Sequence, residues 1–230
     1  MAISEKTKLF SILGDSVSTL EGYSVPEYAA FYDTPRKLQA SIFVPKDTWW
    51  GQVISALNGE LLVNNSFSGS TVCWNSRYEI PSYGCSEERT SCLGKEDLSP
   101  DVIMVFMGMN DWGKGVRVLP GEGEERDLTV FSVAYRQMIC QLKKNYPRAE
   151  VWCFTLPVSA YVCAKTDAFP YCYGGIHIEE YCKAICACAK EYGCRVIDLY
   201  GAVKSYDTID DFHPSAHGMR TLAKATLEQL

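Results

Sequence analysis

The chain alternates between short apolar runs and longer segments in which apolar residues recur at helical spacing. The runs cover residues 9–13, 61–65, 102–107, 150–156 and 195–199. The clearest is Val-Ile-Met-Val-Phe-Met at 102–107, where no polar residue interrupts the run, as is typical of strands buried on both faces of a parallel sheet. We therefore predict five buried strands.

Apolar residues at helical spacing occupy most of the intervals between the predicted strands. The predicted helices cover residues 49–57, 86–93, 129–144, 178–192 and 215–230. Thr129 is a candidate N-cap for the third of these helices. Residues 17–32 are predicted to form a loop or an irregular helix. Residues 34–46 are predicted to be irregular, because Pro35 and Pro45 break regular structure.

Strands that alternate with helices form β-α-β units, whose strands run parallel and whose helices cover both faces of the sheet. The pattern predicts an α/β protein, a three-layer α/β/α sandwich around a five-stranded, mostly parallel sheet. No internal repeat, low-complexity tract or linker interrupts this pattern, and 230 residues fit one domain. We predict a single domain over residues 1–230.

Composition and charge exclude two classes of partner. The chain carries 22 Lys and Arg against 28 Asp and Glu, for a net charge of −6, and it has no basic block. We therefore expect no nucleic-acid binding. No apolar run approaches the ~20 residues of a membrane span, so we expect no membrane insertion. The N-terminal residues lack the apolar core of a signal peptide, which predicts a cytoplasmic protein.

Eleven cysteines are a high and odd number for one chain. Without an export signal, reduced thiols that pack as small apolar residues are the favoured interpretation, with a metal site or a disulfide as alternatives. Cys153 lies in the fourth predicted strand, and Cys194 stands at the start of the fifth. Cys182, Cys186 and Cys188 lie in a predicted helix and lack the Cys-x-x-Cys spacing of structural zinc sites.

Glycines and polar residues that could take part in catalysis cluster after the predicted strands. Because the carboxyl ends of parallel strands meet at one edge of a sheet, residues that are distant in sequence can come together there. Gly14 is expected to allow a backbone conformation that a Cβ would penalise. Asp15 and Asp111 are expected to hold turns. The residues at this edge are Gly14, Asp15, Ser16, Gly69, Asn110, Asp111, Asp210 and His213.

These residue types are those of nucleophilic catalysis. A serine hydroxyl is a poor nucleophile unless a base removes its proton, and His213 is the candidate base for Ser16. Asp210, three residues earlier, can accept from the other imidazole nitrogen and select the tautomer. The backbone N–H groups of Ser16 and Gly69 and the amide of Asn110 are candidate donors to an oxyanion. This chemistry needs no cofactor.

A His-x-x-x-His pair could instead indicate a metal site, because His217 follows His213 by four residues. Pro214 favours a helix that starts after His213, so the two imidazoles would not share a helix face. We therefore predict no metal at this position.

Four sequence blocks, in this order, resemble those of the SGNH hydrolase superfamily of GDSL-type esterases and lipases. The blocks are Gly14-Asp15-Ser16, Gly69, Gly108-x-Asn110-Asp111 and Asp210-x-x-His213-Pro214. The resemblance implies a flavodoxin-like fold and a Ser-His-Asp acyl hydrolase. By motif, Ser16 resembles the nucleophile, Asp210 and His213 the other triad members, and Gly69 and Asn110 the oxyanion donors. Val17 stands where the family name has leucine.

Large side chains in the loops at the strand ends are candidates for substrate contact. Trp74, Arg77, Arg89 and Trp112 either line the substrate site or pack beneath these loops. Loops rich in Trp, Tyr, Gly and charge suit a small acyl group on a polar alcohol, so we expect a short-chain esterase, such as a carbohydrate acetylesterase, with a small-molecule ester substrate. A thioesterase or lysophospholipase is the alternative enzyme. The cysteine content keeps open a non-catalytic binding protein with the same fold.

Overall fold

The computed structural model describes residues 7–74, 83–160 and 169–230. In these residues five strands form one sheet in the order β2-β1-β3-β4-β5, and every neighbouring pair is parallel. This is the strand order of flavodoxin-like doubly wound sheets. The predicted α/β class and all five strands are confirmed. The strands are β1 (Leu9–Gly14), β2 (Glu60–Ser66), β3 (Val102–Phe106), β4 (Glu150–Phe154) and β5 (Arg195–Ile197).

Helices cover both faces of the sheet and complete the three layers. The helices of the described residues are α1 (Thr34–Ala40), α2 (Trp49–Ala56), α3 (Glu87–Ser91), α4 (Met109–Gly113), α5 (Phe131–Asn145), α6 (Ile178–Glu191), α7 (Leu199–Ala202) and α8 (Ala216–Leu227). On one face α2 and α8 pack against each other and the sheet, and on the other face α5 and α6 do so, with α3 beside α5. None of the helices in the described ranges is long and apolar enough to cross a bilayer.

Strand β3 shows why the central run contains no polar residue. Ile103 and Val105 point into the core beneath α5 and α6, whereas Val102, Met104 and Phe106 point into the core beneath α2 and α8. All five side chains are buried. A strand that is covered on both faces must be apolar at every position, because a polar side chain would lose its water on either side.

The segment 34–46 is not wholly irregular, because its first half forms α1. Pro35 lies in the first turn of this helix, where its missing N–H removes no helical hydrogen bond. The Asp33 side chain caps the helix by accepting from the backbone N–H of Arg36 at 3.3 Å. The helix ends at Ser41, whose φ of 57° is left-handed. Proline thus marks the beginning of a helix here, and the prediction for residues 34–40 was wrong.

Thr129 does not cap α5. Its hydroxyl donates to Asp127 Oδ1 at 2.7 Å, and the helix begins two residues later at Phe131. The other predicted helices are present as α2, α3, α6 and α8, and α3 is shorter than predicted. These differences shift helix ends without altering which segments cover the sheet.

Candidate active site

Three side chains from the two ends of the sequence form one continuous chain of hydrogen bonds. Ser16 follows β1 directly and opens a 3-10 turn. Its hydroxyl oxygen lies 2.9 Å from His213 Nε2. The other ring nitrogen, Nδ1, lies 2.7 Å from Asp210 Oδ2. Ser16 is buried, and the His213 side chain is 20% exposed.

Asp210 also organises the loop that carries His213. Its Oδ1 accepts from the backbone N–H of His213 at 2.8 Å and of Phe212 at 3.2 Å. Burial alone would raise the pKa of Asp210, but the hydrogen bonds and charge of His213, together with these backbone donors, hold that pKa below its ordinary value. An ionised carboxylate only accepts, so the imidazole carries its proton on Nδ1 and offers a lone pair on Nε2 to Ser16.

The turn around Ser16 leaves no room for a larger residue at position 14. A Cβ on Gly14 would lie 2.6 Å from Ser66 Oγ and 2.7 Å from Ser18 Cβ. The backbone of Gly14 is not left-handed, so the expected conformational role was wrong, and close packing is the reason for glycine. Asp15 holds the turn, as predicted, by accepting from the N–H of Val17 at 3.1 Å. Burial raises the pKa of Asp15 to about 7.

The loop after β2 and helix α4 are tied together beside Ser16. Gly69 has a φ of 80°, which only glycine adopts without strain. The amide of Asn110 donates to the carbonyl of Ser70 at 2.9 Å. Asp111 accepts from the backbone N–H groups of Val72 at 2.8 Å and Cys73 at 3.1 Å, which confirms that it holds a turn. Burial raises the pKa of Asp111 to about 6.

Comparison with known proteins shows the family of this chain. Residues 8–157 match the family described as GDSL-like Lipase/Acylhydrolase. The chain belongs to this family. Membership in the GDSL-like family makes the protein an enzyme of the esterase and lipase type, with small-molecule esters as its class of substrate.

Solved structures agree with the family and extend the likeness over nearly the whole chain. A GDSL-like lipase from Bacteroides ovatus is 28% identical, with a TM-score of 0.72, and the match covers 96% of each chain. Another from Bacteroides uniformis is also 28% identical, with a TM-score of 0.71, and the match covers 97% of this chain and 95% of that one. An aryl esterase from M. smegmatis shares the fold at 21% identity, with a TM-score of 0.65 and coverage of 97% and 98%. A search of curated proteins found no significant match.

Arg89 packs beneath the loops of this GDSL-like protein, which is one of the two interpretations of its sequence position. Its side chain is fully buried. The guanidinium donates to the carbonyl oxygens of Gly14 at 2.9 Å and Asn65 at 2.6 Å. It also donates to Asn65 Oδ1 at 3.0 Å and Ser70 Oγ at 2.9 Å. Arg89 therefore braces the ends of β1 and β2 and the loop that follows, from beneath the site.

Trp112 likewise packs beneath the loops, which is one of the two interpretations of its sequence position. The side chain is 1% exposed and stacks on Phe169 with ring centroids 5.3 Å apart. Its indole N–H donates to the carbonyl of Tyr171 at 3.0 Å. Trp74 is 45% exposed, and its contact with substrate remains a prediction. Arg77 lies outside the described residues.

Sequence reasoning missed Phe31, which stacks on the ring of His213 with centroids 3.4 Å apart. Phe31 lies in the segment predicted to be irregular, and no periodicity or motif marks it, so the sequence carries no signal for this contact.

The cysteines of the described ranges are free and do not gather into a metal site. Cys182 and Cys188 are buried, and their thiols lie 3.8 Å from the carbonyl of Leu156 and 3.6 Å from that of Ser132. Burial raises the pKa of Cys188 to about 11, so this thiol stays protonated. Across the described residues, no group of three His, Cys, Asp or Glu side chains is placed to hold a metal ion. Cys163 lies outside these ranges.

Proposed function

We propose that this GDSL-like protein is a serine esterase that hydrolyses short-chain acyl esters, above all acetyl esters of a carbohydrate or another polar alcohol, through an acyl-enzyme. The observation that carries the proposal is the hydrogen-bonded chain from Ser16 through His213 to Asp210. Nucleophile, base and tautomer-selecting carboxylate are the three groups that acyl transfer to serine needs.

In the acylation step, the lone pair on His213 Nε2 accepts the proton of Ser16. As Ser16 Oγ attacks the ester carbonyl carbon, its proton moves to His213 Nε2, and Asp210 stabilises the imidazolium that results. The tetrahedral intermediate then collapses: the bond from carbon to the alcohol oxygen breaks, and Nε2 returns the proton to the leaving alcohol. An acyl group is left on Oγ.

Deacylation repeats the sequence with water as the nucleophile. Water gives a proton to Nε2 and attacks the acyl carbon. The second tetrahedral intermediate releases the carboxylic acid, and the proton returns from Nε2 to Ser16 Oγ. The same imidazole therefore serves as base and then acid in each half of the reaction.

Ser16, Gly69 and Asn110 are the proposed donors to the oxyanion. Within the described residues, the backbone N–H groups of Ser16 and Gly69 have no protein acceptor, which leaves both available to a substrate oxygen. Asn110 uses one amide hydrogen on the carbonyl of Ser70, which orients the group and leaves its second hydrogen for substrate. One such donor is worth about 3 kcal/mol in the transition state.

Aromatic side chains near His213 support a polar, ring-shaped alcohol group. Tyr173 is 57% exposed and meets the ring of Phe212, the residue before His213, at 5.6 Å in an edge-on contact. Tyr171 is 42% exposed in the same loop. Such rings combine an apolar face with a hydroxyl, which suits the mixed apolar and polar surface of a sugar.

Replacement of Ser16 by alanine tests the reaction. Hydrolysis of p-nitrophenyl acetate by Ser16→Ala should fall to the background rate, whereas the matched control Ser55→Ala, an exposed serine on α2, should equal the unaltered protein. A fluorophosphonate should label the unaltered protein at Ser16 and leave Ser16→Ala unlabelled. Full activity in Ser16→Ala would reject the mechanism.

The acyl group and the alcohol need separate assays. With p-nitrophenyl acetate, butyrate, octanoate and palmitate, we expect kcat/KM to be highest for acetate. Acetylated mono- and oligosaccharides should release acetate faster than acetylated aliphatic alcohols do. A maximum at octanoate or palmitate would reject the short-chain proposal and favour a thioesterase or lysophospholipase.

A further inference from the structure

Residues 28–32 contact the three parts of the site that come from distant regions of the chain, and we call them the bridging segment. At one end, the bridging segment holds the loop that carries Gly69. The backbone N–H of Ser68 donates to the carbonyl of Ala29 at 2.8 Å. The rings of Tyr28 and Phe67 stack with centroids 4.9 Å apart and planes 12° apart.

The middle of the bridging segment is tied to the turn around Ser16 through Thr19. The backbone N–H of Phe31 donates to Thr19 Oγ1 at 2.8 Å. The same hydroxyl donates to the carbonyl of Ser16 at 2.8 Å. Thr19 is fully buried, so no water competes for either bond.

The other end of the bridging segment holds the loop of His213. The ring of Phe31 lies against the imidazole, with centroids 3.4 Å and planes 9° apart. The hydroxyl of Tyr32, which is fully buried, donates to the carbonyl of Pro214 at 2.7 Å. The guanidinium carbon of Arg36 also lies over the ring of Phe31, 4.8 Å from its centroid, and Arg36 Nη1 pairs with Asp33 Oδ2 at 2.8 Å. Phe31 therefore contacts both His213 and Arg36.

We propose that Phe31 is a positioning residue for His213: its ring holds the plane of the imidazole so that Nε2 stays directed at Ser16 Oγ. This inference rests on the proposed function. The last side-chain torsion of histidine is broad, and the hydrogen bonds at Nδ1 and Nε2 do not by themselves fix the plane of the ring. A flat face packed parallel to the imidazole removes this freedom.

The stack of Phe31 on His213 should also stabilise the transition state more than the ground state. When His213 takes the serine proton it becomes a cation, and a cation is attracted to the face of an aromatic ring. Phe31 contacts the imidazole rather than the reacting atoms, so its loss should slow the chemical step more than it weakens substrate binding.

The test compares Phe31→Leu, which keeps apolar volume but removes the flat face, with Phe31→Tyr, which restores the face. For p-nitrophenyl acetate, kcat of Phe31→Leu should fall about 10- to 100-fold, as expected for a displaced catalytic group, with KM changed by less than about 3-fold. Phe31→Tyr should keep kcat within about 3-fold of the unaltered protein. The control Phe43→Leu alters a phenylalanine that is 51% exposed and should change neither constant.

A spectroscopic measurement tests the same inference without activity. In protein labelled with ¹⁵N-histidine, the Nδ1 proton of His213 should give a protected downfield resonance that weakens or broadens in Phe31→Leu and persists in Phe31→Tyr. If Phe31→Leu does not fold, Phe31→Met provides the same comparison, with the melting temperature as the check.

The outcomes separate this inference from the proposed function. Activity that survives in both Ser16→Ala and His213→Ala would reject the proposed function, and the resonance would still report whether Phe31 orders the imidazole. Esterase activity that depends on Ser16 and His213 but is unchanged in Phe31→Leu would overturn the role of Phe31 alone. An equal loss in Phe31→Tyr and Phe31→Leu would also overturn it, because the flat face would then not matter.

Discussion

Arg89 donates through Nη2 to the carbonyl oxygen of Gly14 at 2.9 Å. The two residues are 75 positions apart in sequence, and Gly14 lies two residues before Ser16. The same guanidinium reaches Asn65 at the end of β2 and Ser70 beside Gly69. A planar fork of donors can satisfy several fixed acceptors at once, which a single ammonium cannot do. Arg89 thus links the serine turn to the loop with the candidate oxyanion donors.

Removal of this guanidinium should cost both stability and activity. Arg89→Met removes the guanidinium donor from buried acceptors on Gly14, Asn65 and Ser70, although the carbonyl of Gly14 keeps the N–H of Phe67 at 3.2 Å. Each buried group that is left unsatisfied costs about 1–3 kcal/mol. We expect the melting temperature to fall by roughly 10 °C, from a loss of about 3 kcal/mol or more. Thermal unfolding followed by circular dichroism measures this change.

Arg89→Lys should recover only part of the lost stability, because lysine keeps the charge without the planar fork. Arg148→Met, at an exposed arginine, should unfold like the unaltered protein. An unchanged melting temperature in Arg89→Met would contradict the bracing role.

Asp210→Asn should leave the fold intact and slow hydrolysis. An amide can donate to Nδ1, which favours the tautomer that places the imidazole proton on Nε2 and so removes the base from Ser16. We expect kcat for p-nitrophenyl acetate to fall by about 10²- to 10⁴-fold with little change in KM. Asp97→Asn, at an exposed aspartate, is the matched control. Equal kcat in Asp210→Asn and the unaltered protein would remove Asp210 from the mechanism.

Gly14→Ala should be destabilising even though the backbone conformation of Gly14 suits any residue. The new Cβ would overlap Ser66 Oγ and Ser18 Cβ, and forced overpacking costs about 1–3 kcal/mol. Because the turn must shift, kcat should also fall. In the control Gly113→Ala, the Cβ meets no atom within 4 Å, so stability should be kept. Chemical denaturation of the two variants gives the comparison.

Stability should fall as pH rises from about 5 to 8. Burial raises the pKa of Asp15 to about 7 and that of Asp111 to about 6, whereas in the unfolded chain both carboxyls have ordinary values near 3.8. Between these values the folded state binds more protons than the unfolded state, so the free energy of unfolding decreases with pH and levels off above about 7. Melting temperatures across this range measure the slope.

Asp15→Asn should reduce that slope and leave the part that comes from Asp111, because an amide can still accept from the N–H of Val17 but carries no charge at any pH. Asp97→Asn should keep the slope of the unaltered protein. A melting temperature that stays constant or rises from pH 5 to pH 8 in the unaltered protein would contradict this prediction.

The local sequence was sufficient to predict the strands and the helices that build the fold. All five strands and the helices that cover the sheet were predictable, since an apolar run or a helical period reflects burial on two faces or on one. The helix at residues 34–40 was not predictable. Proline breaks a helix in its interior but is compatible with its first turn, and only the cap by Asp33 shows that Pro35 lies in a first turn.

The sequence by itself also determined which residues could meet. Ser16, Gly69, Asn110, Asp210 and His213 follow predicted strands or lie in later loops, and parallel strands end at one edge of a sheet, so the sequence predicted that these residues could meet. Only the tertiary structure decided the direction of the side chains. Arg89 turns inward to buried carbonyls, and Phe31 meets His213 from a segment without periodicity. Such contacts depend on packing between segments that are remote in sequence, and no local pattern encodes them.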